Sequence, residues 1–302
     1  MKHVVSVSLG SSKRDHQVEE ELMGESVFIE RRGTDGNLEK MKDLVSELDG
    51  KVDAFGLGGM DLYLVIGKRR YLMNDAQKVV ECCKRTPIVD GSGLKNSLER
   101  FALEQLYQNQ ELLNESDKIL LVSALDRFGM AETIHQYGNE IIYGDVIFSL
   151  GLPIPVKSMK ILSLIANAAL PVVRRLPFKY LYPSANEKGK LKKSIDKFKK
   201  YYYWADVICG DFHYINKYLP DKLEDKTIIT NTVTEEDEQE LKKLGVSYLI
   251  TTTPSWNGRA FGTNVMEALL ISLTEEKQEL SAQDYQRMLA ELNFSPTIRS
   301  LN

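Results

Sequence analysis

The strongest candidate for ligand chemistry is the segment Asp90-Gly91-Ser92-Gly93-Leu94-Lys95-Asn96-Ser97. A predicted strand ends just before it, Gly-Ser-Gly forms a turn, and a predicted helix follows. Backbone N–H groups at such a turn, the helix dipole and the Lys95 ammonium all favour a phosphate or a carboxylate. The Gly-Lys-Ser/Thr triplet of a Walker loop is missing. The segment therefore predicts an anion site of another kind, and a tight strand-to-helix corner is the alternative.

A second candidate is the strand–helix–strand unit predicted over residues 119–145. Asp145 ends its second strand about 20 residues after the first strand, where the ribose-binding carboxylate of a dinucleotide site lies. The usual glycine-rich turn is reduced to Ala124-Leu125-Asp126-Arg127-Phe128-Gly129. Asp126 would repel a pyrophosphate or cap the helix, and Arg127 would partly offset that charge. The unit is Rossmann-like, and its use of a dinucleotide is left open.

Two further loops could contact a ligand. Gly56-Leu57-Gly58-Gly59 superficially resembles a dinucleotide turn, but a strand rather than a helix follows, so we interpret it as a backbone turn near a ligand. The loop after the predicted strand 248–252 contains Arg259 and precedes a helix that starts near Asn264. Arg259 could capture a carboxylate there, or it could be an ordinary surface cation.

Proton transfer requires a titratable side chain whose pKa is shifted by burial or by a nearby charge. A buried lysine beside an aspartate could act as acid and base. The residues that could supply such groups are Lys13, Asp15, Asp35, Asp61, Lys95 and His213. Each of them could equally have a structural role.

Residues 188–204 are locally basic and aromatic. Such a segment could contact nucleic acid, anionic lipid or a cofactor phosphate. The alternative, which we favour from sequence, is a solvated helix face whose aromatic side chains enter the core.

These candidates share one position in the predicted elements. Strand and helix patterns alternate along almost the whole chain, which is typical of parallel sheets with helices on both faces. Small, polar or glycine-rich corners follow nine predicted strands, whereas ordinary residues precede the strands. In a doubly wound sheet ligands lie outside the carboxyl ends of the strands. The sequence therefore predicts ligand binding along that edge.

The predicted fold class is α/β, with an N-terminal α/β domain followed by a Rossmann-like, doubly wound parallel-sheet domain. The polar segment 108–118 is the best boundary. We predict a substrate- or anion-binding domain over 1–112, a nucleotide-binding domain over 113–273, and a C-terminal helix and tail over 274–302.

Composition excludes several classes of protein. Hydrophobic residues make up 43% and charged residues 27% of the 302 positions, which is typical of a globular chain. The net charge of −4 disfavours bulk binding of nucleic acid. Three cysteines and four histidines without metal-ligand spacing disfavour a zinc site. No segment reads as a signal peptide or a membrane span, so we predict a cytoplasmic protein without a membrane partner.

The first sixteen residues, the run Asp53-Ala54-Phe55-Gly56-Leu57-Gly58-Gly59 and the segment from Val89 to Asn96 resemble bacterial quinate 5-dehydrogenases. The similarity continues to Gly262-Thr263-Asn264-Val265-Met266-Glu267-Ala268. This resemblance implies NAD(P)-dependent oxidation of a ring hydroxyl in a carboxylated cyclitol. It also implies an N-terminal substrate domain, a C-terminal Rossmann domain and a catalytic Lys–Asp pair. The segment Gly33-Thr34-Asp35-Gly36 lies earlier than that family's Asn-Thr-Asp-Gly motif, and Ala124–Gly129 replaces its glycine turn.

The leading prediction is an NAD(P)-dependent oxidoreductase acting on a small hydroxy-carboxylate. The alternatives are a non-redox enzyme acting on a phosphorylated metabolite and a non-catalytic nucleotide or metabolite sensor. The predicted partner is a small anionic metabolite, and a homodimer is left open. The predicted catalytic residues are Lys95, Lys13 and Asp61. The predicted binding residues for NAD or NADP are Ala124, Asp126, Arg127, Gly129, Asp145, Asn231 and Thr252. The predicted substrate-binding residues are Ser11, Ser12, Gly58, Gly59, Ser92, Gly93, Asn96, Arg259 and Asn264.

Overall fold

A computed structural model describes residues 1–66, 69–173, 188–231, 233–253, 255–256, 259–260, 262–275 and 280–302 of the 302-residue chain. The chain forms two compact units that interleave in sequence. Unit 1 comprises Met1–Leu98, Pro171–Tyr182 and Phe261–Phe294, and unit 2 comprises Glu99–Leu170, Pro183–Ala260 and Ser295–Asn302. The predicted division into 1–112, 113–273 and 274–302 is sequential, whereas these units are not.

The described strands are β1 (Lys2–Ser8), β2 (His16–Leu22), β3 (Glu25–Gly33), β4 (Ala54–Gly58), β5 (Tyr63–Ile66), β6 (Arg69–Leu72), β7 (Ile88–Val89), β8 (Lys118–Leu121), β9 (Glu140–Tyr143), β10 (Val207–Gly210), β11 (Thr227–Thr230), β12 (Tyr248–Thr251), β13 (Ser255–Trp256), β14 (Arg259–Ala260) and β15 (Thr297–Ser300). The described α-helices are α1 (Leu38–Leu48), α2 (Asn74–Val80), α3 (Ser92–Gln108), α4 (Phe128–Tyr137), α5 (Asp145–Phe148), α6 (Met159–Val173), α7 (Lys188–Trp204), α8 (Phe212–Lys217), α9 (Glu235–Lys243), α10 (Thr263–Ser272) and α11 (Ala282–Glu291). A short 3-10 turn spans Ser12–Arg14. None of the helices in the described ranges is long and apolar enough to span a membrane.

Unit 1 is built on a five-stranded sheet with the order β2-β3-β1-β4-β7. β1 pairs in parallel with β3 and β4, and β4 pairs in parallel with β7, as the alternating pattern predicts. β2 is antiparallel to β3 and was not predicted. Its sequence HQVEEEL carries three consecutive glutamates, and such charges are typical of an edge strand rather than of a buried one.

Unit 2 is built on a six-stranded sheet with the order β15-β12-β11-β10-β8-β9. Strands β8 to β12 are all parallel to one another, and β15 adds an antiparallel edge strand beside β12. Numbered along the chain, the parallel strands lie in the order 2-1-3-4-5. This is the flavodoxin-like order rather than the 3-2-1-4-5-6 order of dinucleotide-binding domains. The chain leaves β8 toward one side of the sheet and leaves β10 toward the other. A crevice is therefore expected between the carboxyl ends of β8 and β10.

The predicted α/β class with parallel sheets is confirmed. The strands of unit 2 consist of continuous apolar runs such as Ile119-Leu120-Leu121 and Ile208-Cys209, because helices cover both faces of the sheet. The predicted hairpin on either side of residues 67–68 is also present, as the antiparallel pair β5 and β6.

Helix α10 packs directly against the sheet of unit 1 through glycine. A Cβ atom at Gly56 would lie 2.5 Å from the Asn264 carbonyl oxygen, and one at Gly91 would lie 2.5 Å from the Asn264 nitrogen. Gly91 also has a φ of +92°, which disfavours any side chain. Gly56 and Gly91 therefore serve close packing of a helix in this unit.

Replacing Gly56 by alanine should destabilise unit 1, because the contact is with backbone that can move only if α10 moves. We expect a loss of about 1–3 kcal/mol of unfolding free energy from overpacking. Gly36→Ala is the control, since no atom lies within 4 Å of its Cβ position and only its positive φ opposes alanine. Urea unfolding measures both. A loss below about 1 kcal/mol for Gly56→Ala would show that α10 is not held this closely.

Candidate functional site

The predicted anion corner after β1 is closed by internal hydrogen bonds. The Ser12 backbone N–H and hydroxyl both donate to Asp35, each at 2.8 Å, and these bonds lower the pKa of Asp35. Ser11 accepts from the Lys13 N–H at 3.2 Å, and its carbonyl accepts from the Arg31 guanidinium at 3.0 Å. The corner therefore uses its polar groups to hold its own shape. The Lys13 side chain is exposed, unlike the buried lysine that acid–base chemistry would need.

The Asp90–Ser97 corner is also organised by a carboxylate. Asp90 accepts from the backbone N–H groups of Leu62 and Ser92, at 2.5 and 2.9 Å. A phosphate at this turn would meet that negative charge. The Ser92 hydroxyl is buried and has no hydrogen-bond partner in the described ranges. The other predicted residues of this region, Gly93, Lys95, Asn96 and Asp61, are partly buried near the same carboxyl edge.

Three predicted substrate residues, Gly58, Gly59 and Asn264, come together at the edge of the unit 1 sheet. A Cβ atom on Gly58 would lie 2.9 Å from the Ser8 hydroxyl and 3.4 Å from the Asn264 amide nitrogen, and one on Gly59 would lie 3.4 Å from the Gly10 nitrogen. Asn264 donates to the Ser6 hydroxyl at 3.0 Å. Packed protein atoms thus occupy this part of the edge. Arg259 lies in β14, and its side chain is outside the described residues.

In unit 2, a buried arginine lies in the loop after β8, at the edge where the strand order predicts a crevice between β8 and β10. Arg127 is 4% exposed and donates to Glu99 at 2.6 Å and to Asp211 at 2.7 Å. Its Nε lies 3.3 Å from Asp126. Burial opposes the charge, but the carboxylates of these three residues outweigh burial and raise the pKa of Arg127. The cation is therefore permanent and is neutralised within the protein.

Polar residues from neighbouring strands surround this ion-pair cluster. Asp211 accepts from the Asn231 amide at 3.1 Å, and its own N–H donates to the Ser123 hydroxyl at 3.1 Å. Asn231 also accepts from the Phe212 N–H at 3.2 Å. The hydroxyl of Thr252, a residue only 1% exposed that follows the next strand, is buried and has no hydrogen-bond partner among the described residues. The predicted residues Arg127, Asn231 and Thr252 thus lie along one edge.

Asp145 occupies the backbone donors that a phosphate would use. Its two carboxylate oxygens accept from the N–H groups of Ala124 and Leu125, at 3.1 and 2.9 Å. Asp126, which we expected to block these donors, pairs with Arg127 instead. Burial raises the pKa of Asp145 to about 6 in spite of the two N–H donors. Gly129 is buried within α4, where its carbonyl accepts from the Thr133 hydroxyl at 2.9 Å.

The sequence analysis did not include Glu99, Ser123 or Asp211 among its site residues. Asp211 was visible as a polar residue directly after a strand, in the same position as the corners that were selected. Glu99 precedes the buried Ala102 by three positions and Leu103 by four, so it lies on the core-facing stripe of α3. A lone acid on such a stripe indicates a buried partner. No group of metal-binding side chains occurs in the described part of the chain.

Replacing Arg127 by leucine should destabilise the protein strongly, because Glu99 is 1% exposed and would be left without its cation. Breaking a buried pair in this way costs about 3–5 kcal/mol. Arg287→Leu provides the matched control, since Arg287 is 67% exposed and pairs with Asp284 on the surface. That change should cost at most about 1 kcal/mol. Urea unfolding would contradict the assignment if the two variants were equally stable.

Asp145→Asn should remove one component of the pH dependence of stability. Because the pKa of Asp145 is raised to about 6, the folded protein keeps a proton that the unfolded chain loses near pH 4. This group therefore lowers the free energy of unfolding as the pH rises from about 4 to 6, by about 3 kcal/mol in total. Unfolding titrations at several pH values should show the wild type losing that amount relative to the variant. Parallel pH profiles would refute the buried, proton-holding state.

Two family models match the chain. Residues 93–301 match the family described as domain of unknown function DUF8754, and residues 3–90 match domain of unknown function DUF8753. A search of curated proteins gives no match.

Several solved structures are similar over nearly the full length, all at low identity. A periplasmic ribose ABC transporter protein from Conexibacter woesei has a TM-score of 0.43 and 8% identity, with 96% of this chain and 94% of that chain covered. An Agrobacterium vitis solute-binding protein bound to tagatopyranose has a TM-score of 0.41 and 6% identity, with 100% and 95% covered. The glucose-galactose binding protein GanP from Geobacillus stearothermophilus has a TM-score of 0.39 and 12% identity, with 99% and 97% covered.

These comparisons correct three predictions. The predicted resemblance and oxidoreductase activity are corrected: the matching families are described as domains of unknown function, and the similar structures are named as sugar- or solute-binding proteins rather than quinate dehydrogenases. The similar ribose transporter protein is named as periplasmic, and the predicted cytoplasmic location is withdrawn. The strand order of unit 2 and the engagement of the Ala124 and Leu125 N–H groups by Asp145 give a physical reason against the dinucleotide arrangement. A small metabolite as partner remains consistent with the ligands of the similar structures.

Because the first model covers more than half of the sequence, this chain belongs to the family described as domain of unknown function DUF8754.

Proposed function

We propose that unit 2 binds a small, polyhydroxylated and uncharged metabolite at the crevice between β8 and β10. The observation that carries the proposal is Asp211, which follows β10 at the point where the strand order diverges and is fixed there by Arg127 and Asn231. Ligands of open α/β sheets bind outside the carboxyl ends of the strands at such a point. Asp211 is 16% exposed, so its carboxylate is accessible in part.

The electrostatics of the crevice favour a hydroxylated ligand over an anionic one. Four acidic side chains, Glu99, Asp126, Asp145 and Asp211, accompany the single cation Arg127. That cation already donates to carboxylates, so a phosphate would gain little from it and would be repelled by the excess of negative charge. Ionised carboxylates only accept hydrogen bonds, and ligand hydroxyl groups are suitable donors to them.

Two protein hydroxyl groups at the same edge could also form hydrogen bonds with a polyhydroxylated ligand. The Ser123 and Thr252 hydroxyls can donate and accept, and that of Thr252 has no partner within the part of the chain that the structure describes. A buried polar atom without a partner costs free energy that a ligand hydroxyl could recover. NAD or NADP binding remains a prediction, and both belong in the test.

Thermal unfolding in the presence of ribose, allitol, tagatose, inorganic phosphate, NAD and NADP tests this proposal. A ligand at 100 times its Kd should stabilise the fold by about 2.7 kcal/mol. We expect at least one sugar or sugar alcohol to raise Tm, and phosphate to leave it unchanged. Asp211→Asn should weaken sugar binding about tenfold or more, since it removes a charge-assisted acceptor.

Asp35→Asn is the matched control, because Asp35 lies at the carboxyl edge of the other sheet and is exposed. It should bind the ligand as the wild type does. Stabilisation by phosphate or a dinucleotide but not by any sugar would overturn the proposal. Equal weakening by the two variants would overturn the location.

A further inference from the structure

Unit 2 exposes an apolar loop that has no role in the crevice. Residues 150–155 read Leu-Gly-Leu-Pro-Ile-Pro and contain no charged side chain. Leu150, Leu152 and Ile154 are 63%, 46% and 56% exposed. Single exposed apolar residues are ordinary, but a cluster of large ones indicates an interaction surface.

The apolar exposure continues on α6, which begins four residues after this loop. Ile161 and Leu164 are 53% and 71% exposed and lie three positions apart, so they share one face of the helix. Leu162 and Ala166 on another face are buried and pack into the unit. The helix therefore carries apolar side chains both toward the core and toward solvent.

Lysines border the loop directly. The Lys197 ammonium donates to the Gly151 carbonyl at 3.1 Å, and the Tyr201 hydroxyl donates to the Pro153 carbonyl at 3.0 Å, so the loop lies against α7. Helix α7 contains seven lysines and one acidic residue, Asp196, which pairs with Lys199 at 2.8 Å. Lys200 on this helix and Lys160 on α6 are exposed.

We propose that this apolar–basic surface, formed by the exposed side chains of 150–164 and by Lys197, Lys199 and Lys200 of α7, docks on an anionic phospholipid membrane. Apolar side chains can enter the boundary between headgroups and acyl chains while lysines remain at the anionic headgroups. For this surface, the proposal differs from the prediction, made from sequence, of no membrane partner. The proposal does not depend on the function of the crevice.

The same charge pattern argues against a second copy of the chain as the occupant. A two-fold contact brings the same patch of both copies together, so lysines at its border would face lysines. Nucleic acid would be attracted by the lysines, but it offers no apolar partner for Leu150, Ile154 and Leu164.

Co-sedimentation with phospholipid vesicles tests the proposal. The full chain should bind vesicles of equal parts phosphatidylglycerol and phosphatidylcholine, and binding should weaken as salt rises. Pure phosphatidylcholine vesicles should bind it weakly. The double variant Lys160→Gln, Lys200→Gln should bind the anionic vesicles about tenfold or more weakly, since each lysine near an anionic surface contributes about fivefold. Leu150→Ser with Ile154→Ser should also weaken binding, with no loss of Tm.

Lys242→Gln with Lys243→Gln is the matched control, because both lysines are exposed on α9 of the same unit and the change in net charge is the same. It should bind like the wild type. Equal loss in the two lysine variants would mean that only net charge matters and would overturn the proposal. Absence of vesicle binding, or a dimer in analytical ultracentrifugation that the Leu150→Ser, Ile154→Ser variant dissociates, would also overturn it.

Discussion

The carboxyl edge of the unit 2 sheet depends on one buried cation. Arg127 connects Glu99 of α3, Asp126 of its own loop and Asp211 after β10. Removing charges from water is costly, and the cost is recovered only if each charge keeps its partners. The loops after β8 and β10 must therefore hold their positions whether or not a ligand is present. A crevice fixed in this way loses little conformational entropy on binding, which favours a small ligand of defined stereochemistry.

Polar residues that follow the strands have different roles in the two sheets. In unit 1 most polar groups of the corners satisfy one another, as Asp35 does with Ser12 and Asp90 with the N–H groups of Leu62 and Ser92, although the Ser92 hydroxyl has no partner among the described residues. In unit 2 the Ala124 and Leu125 N–H groups are engaged in the same manner by Asp145, but Asp211 keeps partial exposure and the Thr252 hydroxyl keeps unused capacity. The edge of unit 2 is distinguished by the divergence of strand order between β8 and β10, together with the partly exposed Asp211 carboxylate and the unused Thr252 hydroxyl, rather than by the presence of a polar residue alone.

The fold was largely predictable, because hydrophobic periodicity and strand–helix alternation report the burial of each element directly. The edge strands β2 and β15 were missed since their alternate residues face solvent and their burial is incomplete. The site was less predictable. Gly56 and Gly91 follow predicted strands as ligand-binding glycines do, yet the space that they leave is taken by Asn264, more than 170 residues away in sequence. Such a contact depends on tertiary packing, which no local pattern records.

Charge also has to be considered locally. The net charge of −4 describes neither the acidic crevice, where carboxylates outnumber Arg127, nor α7, where lysines outnumber Asp196. At physiological ionic strength exposed charges act over about 8 Å, so a surface interacts through its own residues rather than through the sum over the chain. A protein that is acidic overall can therefore offer hydrogen-bond acceptors to sugar hydroxyls in one crevice and a cationic face to anionic headgroups elsewhere. The two surfaces require different ligands because their charges are opposite.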